Sequence, residues 1–225
     1  MNIARNVALI KDRIAQACIR AGREPDEVRL LAVTKYASDR AVQELIDLGV
    51  RCLGESRVQD GLKRMARFGP DLEWHLIGTL QRNKVKYCQD FALIHSLDRM
   101  PLAAELERRA AAWGKQQEVL VQVNISGEET KHGLAPGEAL EFVQRVTREC
   151  PHVRTRGLMT IAPHIAAEEV RPFFRKARAL YETIKAELGL DWDTLSMGMS
   201  DDFEVAVEEG ATLVRIGSAL FREEE

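Results

Sequence analysis

No apolar run in this chain approaches the roughly 20 residues that a bilayer-spanning helix needs. Residues 1–20 carry charges throughout and contain no apolar h-region, which argues against a secretory leader. Cysteine is scarce. Cys18, Cys52, Cys88 and Cys150 are widely separated and form no CxxC pair, so neither a disulfide framework nor a thiolate zinc site is indicated. The five histidines (His75, His95, His132, His152, His164) form no HxxxH or HExxH pattern, and no metal is expected. Neither sign of charge dominates: 32 Lys+Arg stand against 35 Asp+Glu, a net charge of −3, which gives no bias toward nucleic acid or an anionic membrane. These absences point to a cytoplasmic protein with no nucleic-acid partner and no membrane partner; no coiled-coil heptad run appears, and the oligomeric state is left unknown with a monomer favoured.

What is present is an ordinary globular balance, 45% hydrophobic and 30% charged over 225 residues, enough for a sizeable core. No linker or low-complexity tract divides it, so residues 1–225 are read as one domain. Helical and strand-like periodicities alternate. Ile3, Val7, Ile10, Ile14 and Cys18 make a helical stripe, and residues 28–34 a buried strand. Further strands are expected at 50–53, 73–77, 91–95, 119–125, 153–160, 194–197 and 212–216. Helical spacing fills the intervals, including Leu102–Leu106–Ala110–Trp113, Leu140–Val143–Thr147 and Val170–Phe173–Ala177–Leu180–Ile184–Leu188. Eight strands alternating with helices imply a parallel sheet, here a single α/β (β/α)8 barrel; an open doubly wound sheet is the alternative.

In such a barrel the chemistry sits at the C-terminal strand ends. That rule selects Lys35, Glu55, His75 to Gly78, Ser96, Asn124 to Ser126, Met159, Ser200 and Arg215 to Ser218. Lys35 ends the apolar strand LLAVTK. Partial burial there would disfavour the ammonium and expose a nucleophilic amine for Schiff-base chemistry. A lysine that snorkels from a strand end is the plainer reading. Ser200 follows the seventh strand and also reads as a helix cap, while Arg215-Ile216-Gly217-Ser218 closes the eighth. The loops after strands seven and eight are the usual phosphate corner of this fold, although Asp201 and Asp202 would repel an anion unless they point away. A strand-one lysine and a phosphate corner suit a lysine-dependent aldolase as well as a pyridoxal 5′-phosphate (PLP) site. The basic stretch 82–86 is read as a solvated helix face.

LLAVTKY, GESRVQD, EWHLIGTLQRNKVK, IHSLDR, VQVNISGEETKHGL, RGLMTIAP, LSMGMSDDFEVAVEEG and ATLVRIGSALF resemble the pyridoxal-phosphate homeostasis proteins, in order, from about residue 5 to residue 221. The resemblance implies a barrel similar to the N-terminal domain of alanine racemase, with PLP held as a Schiff base on Lys35. It implies phosphate contacts from Ser200, Gly217 and Ser218, Arg215 at the pyridine nitrogen, and His75, Met159 and Met197 lining the pocket. Lys131 matches a loop lysine that would receive PLP during transfer, with apo-PLP enzymes as the final acceptors. A guanidinium only donates hydrogen bonds, so the ring nitrogen facing Arg215 must be an unprotonated acceptor, a weaker electron sink than a pyridinium. The implied function is a PLP carrier or buffer in vitamin B6 homeostasis with no catalytic residue; a low-activity PLP-dependent racemase or lyase, with His75 or a lysine as second base, is the alternative. Of the tyrosines, Tyr36 is expected outside the pocket and Tyr87 and Tyr181 on helices. Two departures stand out. Ser56 and Asp60 replace the asparagine and glutamate of the family's GEN-x-VQE block, and the chain ends FREEE without the basic tail of some members.

Overall fold

The computed structural model describes residues 2–69, 71–128 and 130–222. The acidic end, 223–225, and Glu129 of the EETKHG loop lie outside the described residues. Eight parallel strands close into a barrel in chain order: β1 (Arg29–Val33), β2 (Cys52–Glu55), β3 (Glu73–Leu76), β4 (Leu93–Leu97), β5 (Gln117–Gln122), β6 (Val153–Met159), β7 (Thr194–Ser196) and β8 (Leu213–Ile216). Pairing of Leu31 with Arg215 and Ala32 with Ile216 joins the first strand to the last. The open-sheet alternative is therefore set aside.

The outer ring comprises α2 (Asp39–Asp47), α3 (Val58–Phe68), α4 (Met100–Trp113), α5 (Ala139–Glu149), α6 (Arg171–Glu187), α7 (Phe203–Glu208) and α8 (Ser218–Phe221), with a 3-10 segment, Arg82–Tyr87, after β3. Before them comes α1 (Ile3–Arg20), whose stripe Ile3, Val7, Ile10, Ile14 and Cys18 is buried as the spacing predicts. Asn6 of α1 donates its amide N–H to the Leu220 and Arg222 carbonyls (3.0 and 3.2 Å), so the first helix seals the ring beside α8. Burying an apolar stripe of this length is worth far more than a capping bond such as that from the Arg5 N–H to Asn2 Oδ1.

Three expectations shift. β2 and β4 each begin two residues later than their apolar runs suggest, because Val50 closes the end of α2 through a bond to Leu45 O and both strands continue through buried polar residues, Glu55 in β2 and His95 and Ser96 in β4. On α5 the buried face is Ala139, Phe142, Val143 and Val146, while Thr147 is exposed, because a 3-10 turn at Pro136–Glu138 rotates the helix start. On α6 the buried stripe runs through Phe174, Ala177, Tyr181 and Ile184 rather than Phe173 and Leu180; Tyr181 packs on Trp192 with ring centroids 5.5 Å apart.

Gly157 of β6 is a position that only glycine fits. Its φ is +152°, and a Cβ there would stand 1.7 Å from the Thr194 carbonyl oxygen of β7. No described helix is long and apolar enough to cross a membrane.

Candidate functional site

Strand alternation divides the core in two. Outward residues such as Leu53, Trp74, Leu195, Val214 and Ile216 pack with the helices, while Leu31, Cys52 and Leu213 meet inside the barrel. Arg215 lies on the inward face of β8, two residues beyond Leu213, and is buried. Its Nη1 donates to Ser196 Oγ of β7 at 2.7 Å and its Nη2 to the Thr160 carbonyl at 2.9 Å. Desolvation pulls its pKa down to about 10, opposed by the Asp202 carboxylate, so it remains a cation at neutral pH. The chain of polar contacts continues inward. Ser196 Oγ is 3.3 Å from His95 Nδ1, His95 Nε2 is 2.9 Å from His75 Nδ1, and His75 Nε2 is 2.8 Å from Glu73 Oε1. Burial lowers the pKa of both histidines, that of His95 strongly. Glu73, bonded by His75 and by Arg29 (2.5 Å), is held down to about 2.

At the mouth, the loop after β7 is tied to the start of α8. Ser200 Oγ accepts the Ala219 N–H at 3.2 Å, which leaves the serine proton free to donate and brings Ser200 beside Gly217 and Ser218. Ser200 thus does not cap α7; Asp202 is the residue before that helix, and its Oδ1 accepts the Met199 N–H at 2.6 Å. Asp201 lies on the outside, within 3.8 Å of Arg222. Gly217 approaches β1: a Cβ there would sit 3.4 Å from Val33 Cβ, two residues before Lys35. The lysine and the serine–glycine corner therefore share the mouth at adjacent strand ends.

Lys35 differs from its expected setting. Its side chain is exposed, with Nζ 5.0 Å from the centroid of the Tyr36 ring, because β1 ends at Val33 and Thr34 takes the buried position. Thr34 Oγ1 donates to Glu55 Oε1 at 2.6 Å, and burial raises the Glu55 pKa. The sheltered stem on which an activated amine would rest is absent. Lys35 instead lines a cavity of about 320 Å³ with Glu55, Lys63, Arg64 and Arg67. A second cavity of about 320 Å³ lies at the mouth above β3 and β5, between Ile77, Gly78, Gln122, Asn124, Lys131 and Ile161. Lys131 Nζ is held there by Glu128 Oε1 (2.7 Å) and the Ala162 carbonyl (3.1 Å).

Other expected residues divide between lumen and shell. Met159 packs inside with Leu93 and Leu120, whereas Met197 is buried among the helix-facing core, one residue out of phase with inward Ser196. His75 is fully buried within the polar chain, and it is Ile77 and Gly78 that line the mouth cavity. Ser56 places its carbonyl beneath Gly78, where any Cβ would come within 2.1 Å of that oxygen. Tyr36 is 90% exposed, on the outside as expected, but in a turn beyond the end of β1, where alternation no longer acts and Lys35 is exposed too. Sequence reasoning missed Glu73, His95, Thr160 and Ser196; the only signal was alternation within EWHL, IHSL and LSMG. It also missed that Cys52, Glu73 and His75 bring ligand-type atoms within 4.8 Å of one another. The guanidinium of Arg29 against Glu73 already supplies the positive charge a cation would bring, and burial pushes the Cys52 thiol up to about 12.

The family model described as "Alanine racemase, N-terminal domain" matches residues 2–224. The pyridoxal phosphate homeostasis protein of Aquifex aeolicus is 46% identical over 226 aligned residues, covering 99% of each chain. PipY of Synechococcus elongatus PCC7942, in its structure with PLP bound, is 34% identical and superimposes with a TM-score of 0.84, covering 98% of this chain and 100% of that one. An alanine racemase of Clostridium difficile 630 shares the fold at 15% identity and a TM-score of 0.78; 99% of this chain matches 57% of the racemase.

Proposed function

This chain belongs to the pyridoxal phosphate homeostasis protein family, and from that membership we propose that it binds PLP and holds it for release to apo-enzymes, with no substrate turnover of its own. The observation that carries the reading is the buried Arg215, fixed by Ser196 and Thr160 below a corner of hydroxyl and backbone donors. The donor set fits the cofactor. Ser200 keeps its proton available, Ser218 is exposed beside it, and Gly217 presents backbone without a side chain, a combination suited to a phosphate dianion. Arg215 would donate to the ring nitrogen and keep it an acceptor. Lys35, at the adjacent strand end, would hold the aldehyde covalently through its ε-amine, after leaving its exposed position over Tyr36. PLP, when bound, supplies a reversible aldehyde and an electron-withdrawing ring. Met159 would pack beside it from the lumen, while Met197 and His75 would act at one remove, behind Ser196 and His95. Lys131 would serve as the second attachment point once released from Glu128.

Support for the absence of turnover comes from where proton-transfer groups sit. Tyr36 faces solvent, Tyr181 is buried against Trp192, and His75 is committed to His95 and Glu73. A racemase needs a second acid–base group across the ring, and none of these side chains is in position. We assign the activity to the cytoplasm, in keeping with four free, buried thiols, and to a monomer. The test is spectroscopic. Purified protein given PLP should turn yellow, lose the visible band on borohydride treatment, and fail to form it as Lys35→Ala. A protein that takes up no PLP would refute the reading. Rapid α-deuterium incorporation into L-amino acids would refute the absence of turnover.

A further inference from the structure

The polar chain across the barrel has one property that its individual bonds do not reveal: its proton order is fixed from one end. Glu73 stands at the first residue of β3, on the side of the barrel opposite the mouth, and its carboxylate accepts from Arg29 through Oε2 at 2.5 Å. An ionised carboxylate only accepts, so His75 must present N–H from Nε2 to Glu73 Oε1, 2.8 Å away. The reverse would set a ring lone pair against a carboxylate lone pair at hydrogen-bond distance. A neutral imidazole with its proton on Nε2 has a bare Nδ1, so His95 must donate its own Nε2–H across the 2.9 Å gap. His95 Nδ1 is then bare and accepts the Ser196 hydroxyl at 3.3 Å. Ser196 Oγ, with its proton turned to His95, offers its lone pairs to Arg215 Nη1 at 2.7 Å. At the far end a guanidinium can only donate. A donor-only group and an acceptor-only group thus close the chain, and a single direction satisfies every member.

We propose that Glu73 is a positioning residue for Arg215: through His75, His95 and Ser196 it orders one hydrogen-bond direction across the lumen and so fixes the guanidinium presented to the site at the mouth. Only the last step, the effect on the cofactor, rests on the PLP-binding reading. Among the other charged or titratable groups facing the two imidazoles, Arg29 at both rings and Arg215 at His95 favour the neutral form, Cys52 meets His75 through its sulfur, and Glu118, at longer range from His75, acts the other way but is outweighed by burial. Burial of both rings supports the same protonation. Chains of this kind polarise along their length, so removal of the terminal acceptor is felt at the donor end. Without Glu73 the pair can reverse, each imidazole carrying its proton on Nδ1. Ser196 then receives two donors and loses the fixed orientation that holds Arg215.

The test needs no cofactor for its first arm. Long-range 1H–15N spectra of PLP-free protein between pH 7 and 8.5 should show His75 and His95 both as neutral Nε2–H tautomers. Either ring with its proton on Nδ1 overturns the proposal, and this measurement stands even if no variant folds. In Glu73→Ala, both rings should shift together toward the Nδ1–H form, and exchange of the Arg215 guanidinium protons should quicken by about three- to tenfold, the worth of one modest hydrogen bond. Glu73→Gln, which keeps one acceptor oxygen, should restore the wild-type tautomers in part. Unchanged tautomers and exchange in Glu73→Ala overturn the proposal. The second arm titrates PLP into wild type and both variants. Affinity should weaken by about three- to tenfold in Glu73→Ala and recover partly in Glu73→Gln. Equal affinities would overturn the coupling to the site. Wild-type protein that binds no PLP would instead defeat the carrier reading, and the first arm would still decide the role of Glu73.

Discussion

Replacing Arg215 with methionine should leave the fold nearly as stable as it was, although the residue is only 5% exposed. The guanidinium pKa falls from 12.5 to about 10, so its charged form is disfavoured in the folded state by about 3 kcal/mol relative to the unfolded chain. Methionine lifts that penalty and keeps most of the aliphatic stem in place. Against the gain stand two losses. The Thr160 carbonyl loses its Nη2 donor, a cost of about 1–3 kcal/mol for a buried unpaired acceptor. The missing guanidinium leaves a small void, worth about 1 kcal/mol. Ser196 retains His95 as a partner. The terms nearly cancel, so urea unfolding of Arg215→Met should give a free energy within about 2 kcal/mol of wild type. Breaking a buried ion pair costs about 3–5 kcal/mol, and a loss of that size would refute the reasoning by showing that Arg215 holds the barrel together. Under the proposed function the same variant should bind PLP at least about tenfold more weakly, the worth of one charge-assisted bond. Little stability lost and much binding lost would mark the residue as kept for the site.

Three further outcomes follow from other parts of the barrel. The Cys52 and Cys88 thiols are raised from 9.0 to about 12, so their stabilisation is complete below pH 9 and declines as pH rises. Between pH 8 and pH 10 the two should cost about 3 kcal/mol in reductant, and Cys88→Ala should remove about half of that slope; a flat urea-unfolding profile would contradict it. At the acid end, Glu73 falls from 4.5 to about 2, a depressed pKa whose contribution is present above pH 4.5 and lost on descent toward pH 2. With 38% of its side chain exposed, solvent screening reduces that contribution to roughly 1–2 kcal/mol, measurable as a shallower acid limb in Glu73→Ala. Gly157→Ala should cost about 3 kcal/mol in thermal unfolding, because its Cβ would meet the Thr194 carbonyl at 1.7 Å. Gly49→Ala, with φ +81° but nothing within 4 Å, should cost only about 1 kcal/mol, and equal losses at the two sites would count against the steric account.

The outer ring was legible because helices that cover a barrel are amphipathic with a fixed period. The α1 stripe was readable residue by residue, and α4 buries Leu102, Leu106 and Ala110 as the spacing implied. The strands were legible in number but not in extent. Both faces of a parallel barrel are covered, so a strand need not be apolar to be buried, and polar Glu55, His95 and Ser96 extend β2 and β4 past their apolar runs. On α6 the spacing found Ala177 and Ile184 but took Phe173 and Leu180 for their buried neighbours Phe174 and Tyr181, because adjacent apolar pairs offer two faces and the ring of Tyr181 rests on Trp192. In the candidate site, the gathering of Arg215, Ser200 and Gly217 at neighbouring strand ends was legible, since the fold fixes where strand ends meet. Ser196 and His95 could not, because they are 101 residues apart in the chain and meet only across the closed lumen. Lys35 shows the opposite failure. Its place at the end of β1 was clear, but side-chain burial depends on whether Thr34 or Lys35 turns inward, and Thr34 finds Glu55 there.

The lumen shows where this barrel departs from the simplest stable solution. A (β/α)8 interior is ordinarily filled by branched aliphatic residues, which bury without any polar atom to satisfy. Here Leu31, Leu93, Leu120, Met159 and Leu213 do so, but the remaining space holds Arg215, Ser196, His95 and His75 in one connected file ending at Glu73. Replacing such a file with aliphatics of similar volume would be neutral or stabilising in most barrels, because hydrogen bonds made inside only replace those once made to water. The file therefore contributes little net stability that leucines could not supply. What leucines cannot supply is a buried cation held at the mouth with its donors in fixed directions. Arg215 and Ser196 lie on β8 and β7, below the corner where Ser200, Gly217 and Ser218 gather donors, and His95 and His75 reach them across the lumen from β4 and β3. The file thus connects the foot of β3 to the donor corner at the β7 and β8 ends, which is the path the proposed role of Glu73 requires.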